Sequence, residues 1–416
     1  MAESALARRL GTGDAVLIGL GAMLGAGVYS AFAPATAAAG SGLLIALAVA
    51  AAVAYCNAAS SAQLAVQYPT SGGTYVYGRE QLGPWWGFAA GWSFVIGKTA
   101  SCAAMALTFS AYAMPGSGWP GRVVAAAAVA LLAGVNLRGI TKTAALNRVL
   151  VAVTLLALGL VVTAIATAGH TRFGSLAADG LHPSGVHGLL QGASLMFFAF
   201  AGYARIATLG EEVRDPGRTI PRAITVALAV VVTVYAVITV VLLSAVGPAA
   251  LAGAGAPLAD VASAVGAHWV GPVVRAGAAV AALGALLALI TGVGRTSLAM
   301  ARNGDLPRPL AQVSAGTQVP QHAEIAIAVV VIALVLLLDV RHVIAFSSFG
   351  VLVYYAVANL SALRQPRAFR RWPRAVSAGG LTGCLALTAA LPATTLLAGL
   401  AVLLAGLLGR LALLRS

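Results

Sequence analysis

Gly19-Leu20-Gly21-Ala22-Met23-Leu24-Gly25-Ala26-Gly27-Val28-Tyr29 is the stretch that decides how this chain is read. It lies inside a long apolar run, 14–39, and places four glycines in nine residues near its middle. Glycine disfavours helix and lets backbone approach another group closely. Hydrocarbon offers no partner to a freed N–H or C=O, so a break at membrane depth requires protein or a water-filled cavity to satisfy it. The rival explanation is that small residues simply let two helices pack closely.

The rest of the chain establishes that a membrane is the setting. Its 416 residues are 60% hydrophobic and only 9% charged, with a mean hydropathy of +0.94. An ordinary soluble domain is about 25% charged. That contrast excludes a soluble enzyme, a disordered protein and a disulfide scaffold. Apolar segments fall at 14–39, 42–66, 85–113, 122–137, 145–168, 187–210, 221–247, 272–300, 323–338, 342–363, 375–391 and 393–414. A span needs about 20 apolar residues. The expected fold is therefore an all-α polytopic membrane protein with twelve transmembrane helices. Residues 1–13 form a polar N-terminal segment, and the apolar stretch that follows is too long and too glycine-punctuated for a cleaved signal peptide. Cys56, Cys102 and Cys384 all sit within apolar runs, which argues against structural disulfides.

A net charge of +14 suggests a nucleic-acid partner until the charges are placed. They form no face that could track phosphates. They sit between apolar runs instead. With the N-terminus in the cytoplasm, only Arg122, Arg172, Arg275 and Arg341 fall outside, whereas most of the 25 basic residues fall inside. The positive-inside rule then places both termini in the cytoplasm and the chain in the cytoplasmic membrane of the cell. No nucleic acid is expected as a partner; the lipid bilayer is.

The sixth apolar segment carries a second interruption, Phe197-Phe198-Ala199-Phe200-Ala201-Gly202-Tyr203, five spans after the first. It is weaker, having one glycine. Paired interruptions in two halves of a chain point to a transporter site at the bilayer midplane. Amides freed at a half-helix N-terminus attract a carboxylate, and freed carbonyls attract an ammonium group or cation. A zwitterion can be held in this way without any charged side chain.

These residues resemble the amino acid–polyamine–organocation (APC) superfamily of secondary transporters. The likeness rests on Ile18 to Tyr29 in the first span and on Pro69-Thr-Ser-Gly-Gly-Thr-Tyr-Val-Tyr77 after the second. It rests also on Gly210-Glu-Glu-Val-Arg-Asp-Pro-Gly-Arg-Thr-Ile-Pro221 after the sixth and, more weakly, on Ala299-Met-Ala-Arg-Asn-Gly-Asp-Leu-Pro307 after the eighth. The resemblance implies a five-plus-five inverted repeat with broken helices 1 and 6: a first repeat at 14–168, a second at 187–363, and two appended helices within 364–416. It implies alternating access by a permease moving an amino acid by symport or antiport, with no cofactor and no metal site. It implies that the Gly25, Ala26 and Gly27 stretch receives the substrate carboxylate at the amides of Ala26 and Gly27. Carbonyls of Met23, Phe198 and Ala201, beside Gly202, receive the ammonium group. Phe200 and Tyr203 are implied as walls, one of the helix 6 aromatics being a gate; ordinary aromatic core packing is the competing role.

Several residues depart from that pattern. Many relatives have a lysine in helix 5, where Thr154 stands here; its hydroxyl either helps hold sodium or back-bonds to its own helix. Two cations lie inside apolar segments, Lys98 in the third and Arg205 in the sixth. Intramembrane charges are functional candidates by default. Lys98 is either a proton-coupling group or a fixed cation on carbonyls of an unwound helix. Arginine does not titrate usefully, so Arg205 is left to bind substrate charge or to pair with Glu211 or Glu212. Those two acids, with Arg214 and neighbouring charges, form a candidate inner-gate network, or else a solvated loop. Ala204 occupies a place where relatives with cationic substrates often carry an acid, and no carboxylate lies near either interruption. A neutral or acidic amino acid is therefore the expected cargo, with a proton or sodium as coupling ion; a cationic amino acid or polyamine is the alternative.

The six histidines show no metal-ligand spacing, and there is no His-Glu-x-x-His, P-loop or intramembrane carboxylate pair. An enzyme is not expected. A channel is the remaining rival, but channels line a pore with rings of carbonyls or charge, usually by oligomeric symmetry.

Overall fold

The computed structural model describes residues 10–69, 72–138, 143–168, 185–207, 213–314, 316–317 and 319–415. Among these the chain is predominantly helical, and Leu10 and Val213 form an isolated parallel bridge. Among the described residues ten helices are long and apolar enough to cross a membrane. The chain is a multi-pass membrane protein.

The first apolar run is three helical pieces, α1 (Thr12–Met23), α2 (Ala26–Ser30) and α3 (Phe32–Ala39). Ala31 keeps helical angles, and its amide bonds to Gly27, so α2 and α3 form one continuous half-helix. Gly40, at φ +58, ends it. α4 (Leu43–Gln67) follows, then the short α5 (Thr74–Leu82). Gly83, at φ +107, turns the chain sharply into α6 (Pro84–Ala113), whose proline suits a first helical position. α7 (Trp119–Leu137) and α8 (Thr143–Thr167) complete the first half.

The sixth span is α9 (Gly185–Phe200), a single 3-10 turn at Ala201–Tyr203, and α10 (Ala204–Ala207). α11 (Pro216–Gly253) kinks at Gly247, φ +73, just before Pro248; there the seventh apolar run was expected to end. α12 (Pro257–Ala264) is short, α13 (Gly271–Arg302) is long, and α14 (Gln321–Leu337), α15 (Val340–Arg364), α16 (Arg374–Ala389) and α17 (Ala393–Arg415) follow. The ninth and eleventh expected spans are the short ones, at 17 and 16 residues. At 1.5 Å per residue α16 reaches about 24 Å, less than the roughly 30 Å of hydrocarbon.

Burial separates centre from rim. The α6, α9–α10 and α15 spans are largely enclosed by protein, whereas α17 is only 11% buried in its apolar window. α6 runs against α13 and α15, and α1 packs on the 3-10 turn of the sixth span. That last crossing is close because glycines permit it. A Cβ on Gly27 would lie 2.7 Å from Cα of Ala199, and one on Gly202 would lie 2.5 Å from the backbone of Ala22.

Backbone offers no flexible end to move aside, so Gly202→Ala is expected to cost about 1–3 kcal/mol by overpacking. Gly159→Ala, where nothing lies within 4 Å, should be tolerated. Thermal unfolding in detergent or nanodiscs checks this; equal melting temperatures for the two variants would contradict the close crossing.

Candidate functional site

The two interruptions differ in kind. In the first span the chain is severed: Leu24 (φ −80, ψ 14) ends α1, and Gly25 (φ −70, ψ −134) redirects it into α2. The amides that open α2, at Ala26 and Gly27, belong to a first turn that has no acceptor within its own helix. In the sixth span Phe200 and Ala204 on either side of the 3-10 turn both keep helical angles. That helix is tightened over one turn, not cut. A single glycine among aromatics supplies less freedom than four glycines in nine residues.

The carbonyls loosened at these points already have donors. The Tyr235 hydroxyl of α11 lies 2.6 Å from the Met23 carbonyl and 3.1 Å from that of Ala199. Lys98 of α6, almost wholly buried, donates from Nζ to the Ala201 carbonyl at 3.0 Å. Two of the three carbonyls implied as ammonium acceptors, Met23 and Ala201, are thus engaged by the protein's own side chains. Lys98 uses one of its three N–H donors on the Ala201 carbonyl of the 3-10 turn.

The aromatic residues are buried in packing. Phe200 lies 5.1 Å from the Tyr235 ring, and Tyr203 stacks on Tyr355 at 4.9 Å. Both are fully enclosed, and Phe198 keeps 6% exposure. Gly25 sits where a Cβ would meet Ala285 of α13 at 2.6 Å, with Met105 of α6 nearby. Beside the break is a cavity of about 10 Å³ lined by Gly21, Leu24, Thr154 and Ala281 among others. That is room for one water-sized species. The Thr154 hydroxyl back-bonds to Leu150 at 2.8 Å while lining this cavity.

Of the expected inner-gate residues, Glu211 and Glu212 lie outside the described residues. Arg205 is on α10, half-buried, and Arg214 is exposed. Arg214 contributes through its backbone, its amide bonding to the Leu10 carbonyl at 2.9 Å beside the Leu10–Val213 bridge. The side-chain link at this end is Asp14 to Arg148 at 2.7 Å, tying α1 to α8. The exposed Asp215–Arg218 contact is 3.8 Å and adds little.

Other functional candidates were missed from sequence. Asp305 is a buried carboxylate that accepts from Tyr75 (2.7 Å), Arg79 (3.3 Å) and Arg410 (2.7 Å). Burial, and then the bond to Asp305, pushes the Tyr75 hydroxyl well above its usual range, so it remains a donor. Asn57 and Asn359 bond to one another at 2.6 Å between α4 and α15. Asn359 is the lone amide of its apolar run and Asn57 shares its own with Gln63, signals that hydropathy averaging hides. Tyr235 gave the same kind of signal, one polar-tipped aromatic among valines. Among the described residues no group of acids, histidines and cysteines could hold a metal ion.

The sequence pattern of the amino acid permease family matches residues 10–408. An uncharacterized transporter of Mycobacterium tuberculosis is 56% identical over 403 residues, covering 96% of this chain and 89% of that protein. The cationic amino acid transporter 4 of Homo sapiens is 29% identical over 382 residues, covering 87% of this chain and 60% of that protein. A branched-chain amino acid permease of Bacillus subtilis is 26% identical over 338 residues, covering 75% of this chain and 70% of that protein.

Tyr235→Phe leaves the Met23 carbonyl without its donor, so a loss of about 1–3 kcal/mol is expected, seen as a lower melting temperature. An unchanged melting temperature would show that the Met23 carbonyl does not depend on Tyr235.

Proposed function

Because this chain belongs to the amino acid permease family, and is an amino acid transporter rather than an enzyme, we propose that it works by alternating access around the break in its first span. The supporting observation is the crossing of α1–α2 over the sixth span at the two interruptions, made close by Gly27 and Gly202. An inverted five-plus-five repeat brings those points together, the first repeat being 14–168 and the second 187–363. On this reading the short α14 and α16 are also spans, which makes twelve, and 364–416 carries a basic cytoplasmic loop and the appended pair. Arg148, Arg214 and the chain start share one end of the molecule, and the positive-inside rule makes that end cytoplasmic. The Asp14–Arg148 pair and the Leu10–Arg214 bond then close the inner side.

The substrate carboxylate is assigned to the amides of Ala26 and Gly27, where the outer half-helix presents its positive end. With Met23 and Ala201 engaged, its ammonium group falls to the Phe198 carbonyl and to carbonyls freed around Gly21 and Ala22. Lys98 disfavours a cationic cargo. No carboxylate stands nearby to receive one: among the described residues the acids lie at helix ends, in loops, or near the cytoplasmic ends of the spans. The proposed cargo is accordingly a neutral or acidic amino acid. The human relative's name speaks for a cationic one and the Bacillus relative's for a neutral one; Ala204 and Lys98 favour the second. Lys98 is the proposed proton-coupling group, in a symporter or exchanger. Sodium coupling is the second reading, favoured by the small cavity that Thr154 lines.

Uptake into proteoliposomes by the purified protein, across a panel of amino acids and amines, tests the cargo. Neutral or acidic amino acids should compete for uptake at least about tenfold better than lysine or arginine, the ratio that 1.4 kcal/mol of discrimination gives. Preference for lysine or arginine would refute the cargo. Lys98→Met is expected to flatten the pH dependence of uptake. A retained pH profile together with a sodium requirement would transfer coupling to the Thr154 cavity. Asp14→Asn should loosen the inner side and raise the reactivity of a cysteine placed at Val151 toward a water-soluble thiol reagent; unchanged labelling would remove Asp14 from the gate.

A further inference from the structure

Two sequence motifs far apart in the chain meet at the cytoplasmic end. Tyr75 and Arg79 stand on α5, and Asp305 stands in the turn after α13. The Asp305 carboxylate, 1% exposed, takes Tyr75 and Arg79 on one oxygen and Nε of Arg410, from the last helix, on the other. The Arg410 guanidinium lies 4.3 Å above the Trp85 ring at the start of α6. α5 is thereby fixed to α6, the end of α13 and α17 by one buried carboxylate. Such groups hold a geometry because every alternative leaves a charge buried without a partner.

α5 packs on α6 and α15, and one tyrosine of it reaches the sixth span. Tyr77, fully buried, points its hydroxyl at the Ala207 carbonyl at 3.4 Å. Ala207 is the last described residue of α10. α1 packs directly on α10, and Val213 and Arg214 pair with Leu10, just before α1. One short helix thus connects a fixed charge cluster to the end of the helix that carries half of the proposed site.

We propose that Asp305 fixes α5 as a stationary abutment, and that Tyr77 on α5 holds the cytoplasmic end of the sixth span, and through it the start of the first, in the inward-closed position. This rests on the alternating-access reading, and it assigns the two motifs a role that reading leaves unused. Asp305 and Tyr77 are positioning residues. The Tyr77 bond is long, as suits a contact that breaks in each cycle, whereas the 2.7 Å contacts at Asp305 stay made.

Hydrogen–deuterium exchange of the full chain in lipid nanodiscs tests this without any substrate. A failed uptake panel would therefore sink the carrier reading and leave this result separately readable. Tyr77→Phe should make the amides of Ala204–Ala207 and Thr12–Met23 exchange about threefold faster, the effect of one modest hydrogen bond on a local opening. Those of α5 should not change. Tyr75→Phe, a gentle loosening of the Asp305 cluster, should speed both α5 and Ala204–Ala207. The double variant should exchange at Ala204–Ala207 no faster than Tyr77→Phe alone, because both act through the same contact. Unchanged exchange at Ala204–Ala207 in Tyr77→Phe would overturn the proposal, as would two effects that simply multiply. Acceleration spread evenly over all spans would reduce the cluster to general stability, and so overturn it too.

Discussion

A carbonyl released from its helix inside a membrane has to find a donor within the protein, since lipid supplies none. Tyr235, whose single hydroxyl proton goes to Met23 at 2.6 Å, and Lys98, on Ala201, answer that requirement at the two interruptions of this chain. Both donors come from helices that flank the first and sixth spans, so the irregular backbone is held from outside by regular helix. The tight crossing of those spans follows from it. Gly27 and Gly202 let the backbones approach, and the approach puts loosened carbonyls within reach of one tyrosine. The same donors narrow the site, because a carbonyl that accepts from the protein is less available to a substrate.

Charge is distributed to match. The centre of the molecule holds one buried amine and, among the described residues, no carboxylate close enough to pair with it. Acid–base contacts lie at helix ends instead: besides Asp339 with His342, Asp14 meets Arg148 in one group, and Asp305 meets Arg79 and Arg410 in another. These two groups differ physically. The first is partly exposed and joins two long helices by one contact, so it breaks at little cost. The second is buried, has three donors on one carboxylate and carries an aromatic lid, so removing a partner is costly. A moving part and a fixed part are the natural reading of that difference.

Much of this was legible from sequence, for identifiable reasons. Hydropathy marked the spans because a helix crossing hydrocarbon must be apolar throughout; even the short runs 323–338 and 375–391 agree with α14 and α16 to within two residues at each end. Four glycines announced the break at Leu24–Gly25, since few other sequences could make it. The sixth span was read as a matching break and is one 3-10 turn, because a lone Gly202 serves close packing as readily as unwinding. Lys98 and Thr154 were each read with two roles. Lys98 bonds to the Ala201 carbonyl and Thr154 to that of Leu150, contacts that no linear pattern reveals. The Asp305 cluster was hidden for a related reason: its members are 75, 79, 305 and 410, and only folding makes them neighbours. The gate acids Glu211 and Glu212 lie outside the described residues, and Asp14 and Arg148 carry the ion pair that is seen.

The most direct test of alternating access is counterflow. Proteoliposomes holding the purified protein would be preloaded with an unlabelled neutral or acidic amino acid, and entry of the labelled compound followed. A carrier whose single site faces each side in turn should take up label faster, and transiently above equilibrium, when the inside is loaded. Uptake that is indifferent to preloading would contradict the account and leave a simple conducting pathway in its place.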